Sequence, residues 1–247
     1  MNEKQYIDAI HSGYFQYWNT LGKLKGIENH KEDGLNWLSG NINYNYYTDT
    51  LGVDDVIRRM RSNEIPQNLS FLTNDLISDP AGYFWAAGTF KYIFGTLGMA
   101  HELMDVTLPE PDPRLTVLRV WDNNALKSVG AILNTVFEYR LFSFADFEQM
   151  LKEGGYFYLA EYDGLPVGAC MAQHGDNYVN ISWVGTLPGF LKLGIAGHLI
   201  QEAEREGLKL GKKFGVLHAF RDVVGVYKYI GYREYCRTVQ LELINET

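Results

Sequence analysis

The chain has 247 residues, 46% of them hydrophobic and 21% charged, which is typical of a folded globular protein with one large domain or two smaller ones. Its net charge of -8 and its lack of any basic segment argue against a general nucleic-acid-binding protein. The acidic excess lies in residues 1–113, with 8 Lys and Arg against 15 Asp and Glu, while residues 114–247 are nearly neutral.

The two cysteines and the lack of a long uninterrupted apolar segment predict a cytoplasmic protein. Cys170 and Cys236 have neither the spacing of a metal site nor that of a redox motif, so we expect two reduced, buried thiols. The chain begins with M-N-E-K-Q-Y-I-D, which lacks the apolar core of a signal sequence. Residues 83–100 are the most apolar long stretch, but Lys91 and several glycines interrupt them, so we expect no membrane span.

Residues 1–107 give a weak pattern of secondary structure. Residues 40–47 alternate polar with apolar or aromatic side chains, as in a half-exposed strand, and Asp54 or Asp55 would cap a helix through Arg61. Further strands are predicted at residues 69–73, 83–87 and 99–106, with a helix or turn at residues 90–97. No glycine-rich turn from a strand into a helix occurs here, so we expect no second cofactor site in this half.

Prolines at alternate positions divide the chain. The three prolines of residues 108–113 each fix φ, remove a hydrogen-bond donor and favour an extended conformation in the preceding residue. We therefore predict a stiff connector at residues 108–113, which separates an N-terminal half, residues 1–107, from a C-terminal domain, residues 114–247.

The C-terminal domain has a clearer order of elements, β-α-α-β-β-β-α-β-α-β. The dipeptide Asp163-Gly164 predicts a hairpin, and Asn123 or Asn124 is expected to cap the first helix. The predicted strands are residues 115–120, 156–162, 166–173, 178–184, 214–219 and 232–244. The predicted helices are the capped one, with apolar positions 126, 129, 133 and 137, then residues 144–152 and 221–230, and a long helix that ends at residue 210. This alternation indicates an α/β fold with a mixed sheet.

Residues 184–197, V-G-T-L-P-G-F-L-K-L-G-I-A-G, join a predicted strand to the long helix. A proline and a glycine turn the chain, and small residues open the helix, which leaves several backbone N–H groups unpaired and approachable. Such a helix start can hold a phosphate without basic side chains, so the segment indicates a pyrophosphate-containing cofactor. As an alternative, Gly194 and Ala196 let a helix pack close to a sheet, as in any α/β protein.

Two motifs give the chain a resemblance to a known family. They are Val184-x-Thr186-x-Pro188 followed by Gly194-Ile195-Ala196, and Tyr227-Lys228-Tyr229-Ile230-Gly231-Tyr232. They resemble the cofactor motif and the Y-x-x-x-G-F motif of the GNAT superfamily of acetyl-CoA-dependent N-acetyltransferases, whose order of elements residues 114–247 share. Residues 1–107 resemble the partial, degenerate GNAT unit that precedes the full one in tandem members. The resemblance implies a GNAT-like acyl-CoA transferase fold in the C-terminal half and acetyl-CoA as cofactor.

The resemblance also implies which residues contact acetyl-CoA. The strand residues Trp183, Val184 and Thr186 would hydrogen-bond the acetyl and pantetheine parts. The pyrophosphate would bind the loop formed by Leu191, Lys192, Leu193, Gly194, Ile195, Ala196 and Gly197. The family usually has Arg or Gln at the position of Leu191, a phosphate contact worth about 1 to 3 kcal/mol. Lys192 is expected to compensate.

The candidate catalytic residues are a tyrosine and a histidine. Tyr227 matches the family's tyrosine and would be the general acid that protonates the leaving thiolate, although a tyrosine on a short helix can also simply pack its ring. The strand at residues 178–184 lacks the family's glutamate, so His218 is the first candidate base, with a structural role as the alternative. Glu161 and His174 are further candidates. The sequence has no pattern of metal ligands, so we expect no metal.

Two hypotheses about function follow. The first is an acetyl-CoA-dependent N-acetyltransferase acting on a small-molecule or peptide amine, by direct transfer because no cysteine lies in the cofactor motif to form an acyl-enzyme. The second is a non-catalytic acyl-CoA-binding or sensing protein with a GNAT-like fold, which Leu191 and the missing glutamate favour. The acidic N-terminal half favours a cationic acceptor, and the solvation of an acidic surface is the plain alternative.

Overall fold

The structure is a computed structural model that describes residues 2–32, 35–41, 44–47, 53–74, 76, 88–103, 108–138 and 142–244. The strands are β1 (Ile27–Glu32), β2 (Leu35–Gly40), β3 (Tyr44–Tyr47), β4 (Asn68–Leu72), β5 (Phe90–Glu102), β6 (Leu115–Arg119), β7 (Gly155–Tyr162), β8 (Leu165–His174), β9 (Tyr178–Thr186), β10 (Phe214–Ala219) and β11 (Arg233–Leu243). The helices are α1 (Glu3–Leu21), α2 (Val53–Arg61), α3 (Asn123–Val136), α4 (Phe144–Lys152), α5 (Ile195–Lys209) and α6 (Val224–Tyr229).

The strands of the described residues form one sheet in the order β1-β2-β3-β4-β11-β5-β10-β9-β8-β7-β6. Neighbouring strands are antiparallel except for two parallel pairs, β3–β4 and β9–β10. This mixed sheet confirms the predicted α/β fold class. Strand β5 precedes the proline-rich connector, yet it pairs with β10 on one side and with β11 on the other. The two halves of the chain therefore share one sheet, which continues across the predicted boundary at residues 108–113.

The structure of the N-terminal half differs from the prediction at two places. Residues 3–21, for which no element is predicted, form α1 with Asn2 as its cap. The helix or turn at residues 90–97 and the separate strand after it are one strand, β5, because pairing with β10 and β11 outweighs the weak β-propensity of Gly95 and Gly98. The strand predicted at residues 83–87 lies outside the described residues.

The predictions for the C-terminal domain are confirmed to within a few residues. Strand β10 has the predicted bounds, and β6 is one residue shorter than predicted. Asp163 and Gly164 have φ values of 51° and 75°, as a two-residue hairpin turn between β7 and β8 requires. The cap of α3 differs from the prediction, because Asp122 and not Asn123 or Asn124 accepts the first amide hydrogen bonds.

Helices cover both faces of the sheet. Helices α1, α3 and α4 pack on one face, the α1 face, where Leu21 joins a hydrophobic cluster with residues of the other two helices. Helices α5 and α6 pack on the opposite face, the α5 face, where Leu199 and Val224 join a second cluster. Cys170 and Cys236 are buried and free, as predicted. None of the helices in the described ranges is long and apolar enough to cross a membrane.

Candidate active site

A gap opens between the neighbouring strands β9 and β10. The two strands pair in parallel over only four residue pairs, the last of which joins Ile181 and Leu217. Beyond that point β9 has a β-bulge, at which Trp183 (φ 56°) and Val184 together face the single residue Cys170 of β8. Because a bulge bends its strand, the backbone groups of β9 and β10 beyond this pair face a gap and no longer bond to each other.

The loop after β9 leads into helix α5 with unpaired amides. Gly194 precedes the helix with φ 75°, a left-handed conformation that glycine adopts without strain, and no side chain caps the helix. The first helical hydrogen bond runs from His198 N–H to the Gly194 carbonyl at 3.2 Å. Among the described residues, the N–H groups of Ile195, Ala196 and Gly197 therefore have no partner. With the positive end of the helix dipole behind them, they suit an anionic group.

This helix start lines a cleft of about 540 Å³. The cleft is also lined by Thr186, by α6 residues such as Tyr229, and by residues 108–112 of the connector. It brings together Thr186 and residues 191–197, which are eight of the ten residues predicted to bind the cofactor. Thr186 Oγ1 is buried and has no hydrogen-bond partner in the part of the chain that the structure describes, so it is available to a ligand.

The other two predicted cofactor residues, Trp183 and Val184, do not line this cleft. Trp183 Nε1 donates a hydrogen bond to Tyr17 Oη at 3.0 Å, and its ring contacts Phe137 and Phe142 on the α1 face. Val184 packs against the hydrophobic cluster of the α5 face. The side chains of these two residues serve the core, so a contact with a ligand would have to come from the bulged backbone.

Tyr227 lies on α6 and packs against the hydrophobic cluster of the α5 face. Its ring centroid is 6.1 Å from that of Tyr232, in an edge-to-face arrangement. Burial, with a smaller contribution from the Cys170 thiol, raises the pKa of Tyr227 to about 12. Tyr227 does not line the cleft, but it packs against the cluster that contains Cys170, the residue opposite the bulge. Its hydroxyl makes no hydrogen bond within the described ranges.

His218 lies on β10 directly after the last pair with β9, but its side chain is on the α1 face. The preceding residue, Leu217, belongs to the α5-face cluster, whereas the His218 ring is 5.1 Å from the ring of Tyr14 in α1. Its Nδ1 lies 3.0 Å from Thr238 Oγ1, and burial lowers the pKa of His218 to about 3. The structure does not bring Tyr227 and His218 into one cleft, because the sheet lies between them.

The sequence of residues 123–232 matches the family model described as Acetyltransferase (GNAT) family. These residues are a GNAT acetyltransferase domain. A search of curated protein sequences gave no match. The family match begins at residue 123, after the connector, and does not include residues 1–107. The partial GNAT-like unit in those residues stays a prediction.

Solved structures with the GNAT fold are similar to most of this chain. A GCN5-related N-acetyltransferase from Kribbella flavida has a TM-score of 0.69 over 95% of this chain and 96% of its own, at 14% sequence identity. One from Sphaerobacter thermophilus has a TM-score of 0.67 over 86% and 81%, at 16% identity. A tandem GNAT protein from the clavulanic acid biosynthesis pathway has a TM-score of 0.62 over 86% and 79%, at 15% identity. At such identities the likeness shows a common fold.

The cleft of the GNAT domain has one wall that the sequence did not reveal. The connector, predicted only as a link, contributes residues 108–112 to the cleft. Asp112 accepts hydrogen bonds from Arg114 Nη2 at 2.7 Å and from Tyr162 Oη at 2.8 Å, and these partners hold the pKa of Asp112 well below its usual range. A Cβ at Gly197 would meet Leu108 Cδ1 at 3.4 Å. The apolar Leu108 at the start of a charged, proline-rich run is the one signal of this contact.

The remaining candidate bases lie away from the cleft of the GNAT domain. His174 pairs with Val179 at the end of β8 that is far from the bulge, and its ring stacks on Tyr156 at 4.4 Å. Glu161 lies beside the hairpin turn between β7 and β8. Within the described residues, no three His, Cys, Asp or Glu side chains are grouped so that they could hold a metal ion.

Proposed function

We propose that the protein is an acetyl-CoA-dependent N-acetyltransferase that transfers an acetyl group directly to an amine. The proposal is carried by one observation: a cleft with three unpaired amides lies on the same face of the sheet as Tyr227 and beside the bulged strand β9. Because residues 123–232 are a GNAT domain, we expect the cleft and Tyr227 to serve acetyl transfer from acetyl-CoA.

The residues of the cleft fit the proposed donor. The amides of Ile195, Ala196 and Gly197 would hold the pyrophosphate, because unpaired N–H groups at a helix start bind anions. Thr186 Oγ1, which is buried without a partner, offers a hydrogen bond to the pantetheine arm. Lys192, exposed at the edge of the cleft, adds a positive charge beside the phosphates. A volume of about 540 Å³ is within the range of small-molecule sites.

Acetyl-CoA supplies the acetyl group as an activated thioester. Tyr227 is the proposed proton donor, because a pKa of about 12 keeps its Oη protonated at neutral pH. The hydroxyl has no protein partner in the described ranges, so it is free to give its proton to a leaving thiolate. Burial raises the pKa of the Cys170 and Cys236 thiols, which leaves both without a nucleophilic thiolate and favours direct transfer.

The mechanism that we propose does not use His218 as the base. A group with a pKa of about 3 gives up a captured proton at neutral pH, so it is a poor acceptor for an amine proton. The contacts of His218 with Thr238 and Tyr14 suit a positioning role on the α1 face. We propose that the amine enters the gap from this face and loses its proton to water, and that Tyr227 regains from water the proton that it gives to the thiolate. The acidic excess of residues 1–113, which include α1, favours a cationic acceptor.

Binding and turnover, measured separately, test the proposal. Isothermal titration calorimetry should detect acetyl-CoA binding to the wild type and its loss in Ala196→Glu, which adds a carboxylate at the unpaired amides. Ala131→Glu, the same change at an exposed position of α3, is the control. Thiol release with a panel of small and peptide amines measures turnover. Failure of the wild type to bind acetyl-CoA would contradict the proposal.

A non-catalytic acyl-CoA-binding protein is the second candidate. Leu191 favours it, because this residue is 57% exposed in the cleft at a position where the resemblance leads us to expect Arg or Gln. The weak basicity of His218 favours it as well. Binding of acetyl-CoA without turnover over the whole amine panel would support this candidate over the enzyme.

A further inference from the structure

The mouth of the donor cleft is apolar. On one side, Val226 and Tyr229 of α6 line the cleft and are 44% and 72% exposed. On the other side, Leu191 and Leu193 are 57% and 42% exposed. Single exposed apolar residues are ordinary on protein surfaces, but four large ones that line one concave site form a surface that a ligand would cover.

Few charges line the cleft, and most of them are negative. Lys192 is the one Lys or Arg among the described lining residues, whereas Glu110 and Asp112 are acidic. Arg114 neutralises Asp112 through two hydrogen bonds, but Glu110 is exposed and has no such partner within the described ranges. Burial lowers the pKa of His198, so this lining residue is neutral at pH 7. Apart from the α5 amides and Lys192, the described lining residues therefore offer little attraction to further negative charge.

We propose that the cleft recognises its donor through apolar contacts and the amides of α5, without selecting for the 3′-phosphate of CoA. The inference rests on the proposed function above and narrows its donor class: adenine-containing phosphopantetheine thioesters, with or without the 3′-phosphate. The ring of Tyr229 stacks on the adenine base, and Glu110 opposes additional negative charge. Leu191 then serves the donor through apolar contact, at the position where the family uses a polar residue.

Other basic side chains near α6 do not line the cleft. Lys228 forms an ion pair with Glu234 at 2.6 Å. Arg221 precedes α6 and is exposed, so it is the main rival for a contact with the 3′-phosphate. The residues outside the described ranges contain a single Lys or Arg, Arg140. Variants of Arg221 therefore belong in the test.

The test measures dissociation constants of CoA, dephospho-CoA and 4′-phosphopantetheine for the full chain, by isothermal titration calorimetry at two salt concentrations. We expect CoA and dephospho-CoA to bind within about threefold of each other, with weak dependence on salt, because no built phosphate contact separates them. We expect 4′-phosphopantetheine to bind about tenfold more weakly than dephospho-CoA, because it lacks the base that stacks on Tyr229 and one of the two phosphates held by the α5 amides.

Variants assign these effects to residues. Tyr229→Ala should reduce the preference for dephospho-CoA over 4′-phosphopantetheine, while Tyr229→Phe, which keeps the ring, should retain it in full. Glu110→Gln should improve binding of CoA about twofold more than that of dephospho-CoA, because it removes an exposed opposing charge. Arg221→Ala should leave the ratio of the two unchanged.

Two results would overturn this inference without affecting the proposed function. One is CoA binding more than about tenfold tighter than dephospho-CoA, which amounts to a specific contact with the 3′-phosphate. The other is a preference for CoA that disappears in Arg221→Ala. Either result leaves the proposed function intact, because the donor still binds. If none of the three compounds binds, the proposed function fails and the inference fails with it.

Discussion

The two faces of the sheet at the gap between β9 and β10 are built in different ways. The bulge of β9, together with the unpaired amides and Tyr227 on the α5 face, comes from residues 183–227, one continuous stretch of the chain. On the α1 face, the surroundings of His218 come from α1, β5 and β11, which are far apart in the sequence. Apart from the contribution of the connector, the donor side is therefore encoded locally, where a motif can reveal it, and the acceptor side depends on long-range packing.

Polar contacts fix α1 to the middle of the sheet. Asn180 Nδ2 donates a hydrogen bond to the Gly13 carbonyl at 3.1 Å, and Gln173 Nε2 donates one to Thr20 Oγ1 at 2.7 Å. A Cβ at Gly13 would lie only 3.0 Å from the side chain of Asn180, so the helix lies directly on β9. Helix α1 thus supports β9, the strand that carries the bulge.

Removal of the N-terminal half tests this comparison most severely, because it should have the largest effect on the folding of the α5 face. A chain of residues 108–247 lacks α1 and β5, so β10 and β11 lose the strand that pairs with both. We expect this fragment to show no cooperative urea unfolding transition and no near-ultraviolet circular dichroism. Residues 1–107, co-expressed as a separate chain, should restore both. A native-like transition for the fragment alone would show that the α5 face forms without the α1 face.

Tyr227→Phe should have the next largest effect and act on the α5 face alone. We expect kcat to fall about 100-fold with the KM for acetyl-CoA unchanged, because a general acid acts on the departing thiolate and not on binding. The free energy of unfolding should change by less than about 1 kcal/mol, since the hydroxyl has no protein partner in the described ranges. Tyr156→Phe is the control, because Tyr156 packs against the same hydrophobic cluster but does not line the cleft. Unchanged kcat would remove Tyr227 from the mechanism.

The features that the sequence predicted correctly depend on their own neighbours in the chain. Asp163-Gly164 forms its hairpin turn through its own φ values, and the small residues around Gly194 open α5 in the same way. Strand β5 is different, because Gly95 and Gly98 weaken its local signal and only pairing with β10 and β11 makes it one strand. The sequence therefore predicts turns and helix starts that depend on neighbouring residues, but it does not predict the pairing of strands that are distant in the chain.

The same reason limits what the sequence says about the candidate site. Alternation along β10 indicates that His218 and Leu217 face opposite sides, but not that Tyr14 and Thr238 surround the imidazole and that burial lowers its pKa. The role of the connector depends on Tyr162, which donates a hydrogen bond to a residue 50 positions earlier. No sequence motif indicates the contacts of His218 or the hydrogen bond from Tyr162 to the connector.

As the pH falls, the free energy of unfolding should decrease more steeply for the wild type than for His218→Gln. The folded protein holds His218 neutral down to about pH 3, while the unfolded chain takes up its proton below about pH 6.5. The unfolded state binds more protons in this window, so the free energy of unfolding falls as the pH falls through it, by about 1.4 kcal/mol per pH unit. Between pH 7 and pH 5, we expect the wild type to lose about 2 kcal/mol more than the variant in urea unfolding.

His11 is the control for this measurement. It lies on α1 near His218, and burial lowers its pKa as well, so it adds to the acid sensitivity of both proteins. His11→Gln and the double variant complete a cycle that separates the two histidines. Equal slopes for the wild type and His218→Gln between pH 7 and pH 5 would show that the imidazole is not held neutral on the α1 face.

Thr186→Val and Thr238→Val make the same change on the two faces and should give the smallest effects, with opposite signs. Thr186 Oγ1 is buried without a partner within the described residues, so its removal should raise the free energy of unfolding by about 1 kcal/mol and weaken acetyl-CoA binding about fivefold. Thr238 Oγ1 lies 3.0 Å from His218 Nδ1, so its removal should lower the free energy of unfolding by about 1 kcal/mol and leave binding unchanged. If both variants are destabilised equally, Thr186 serves the core and not the donor, and the two faces differ less than their contacts indicate.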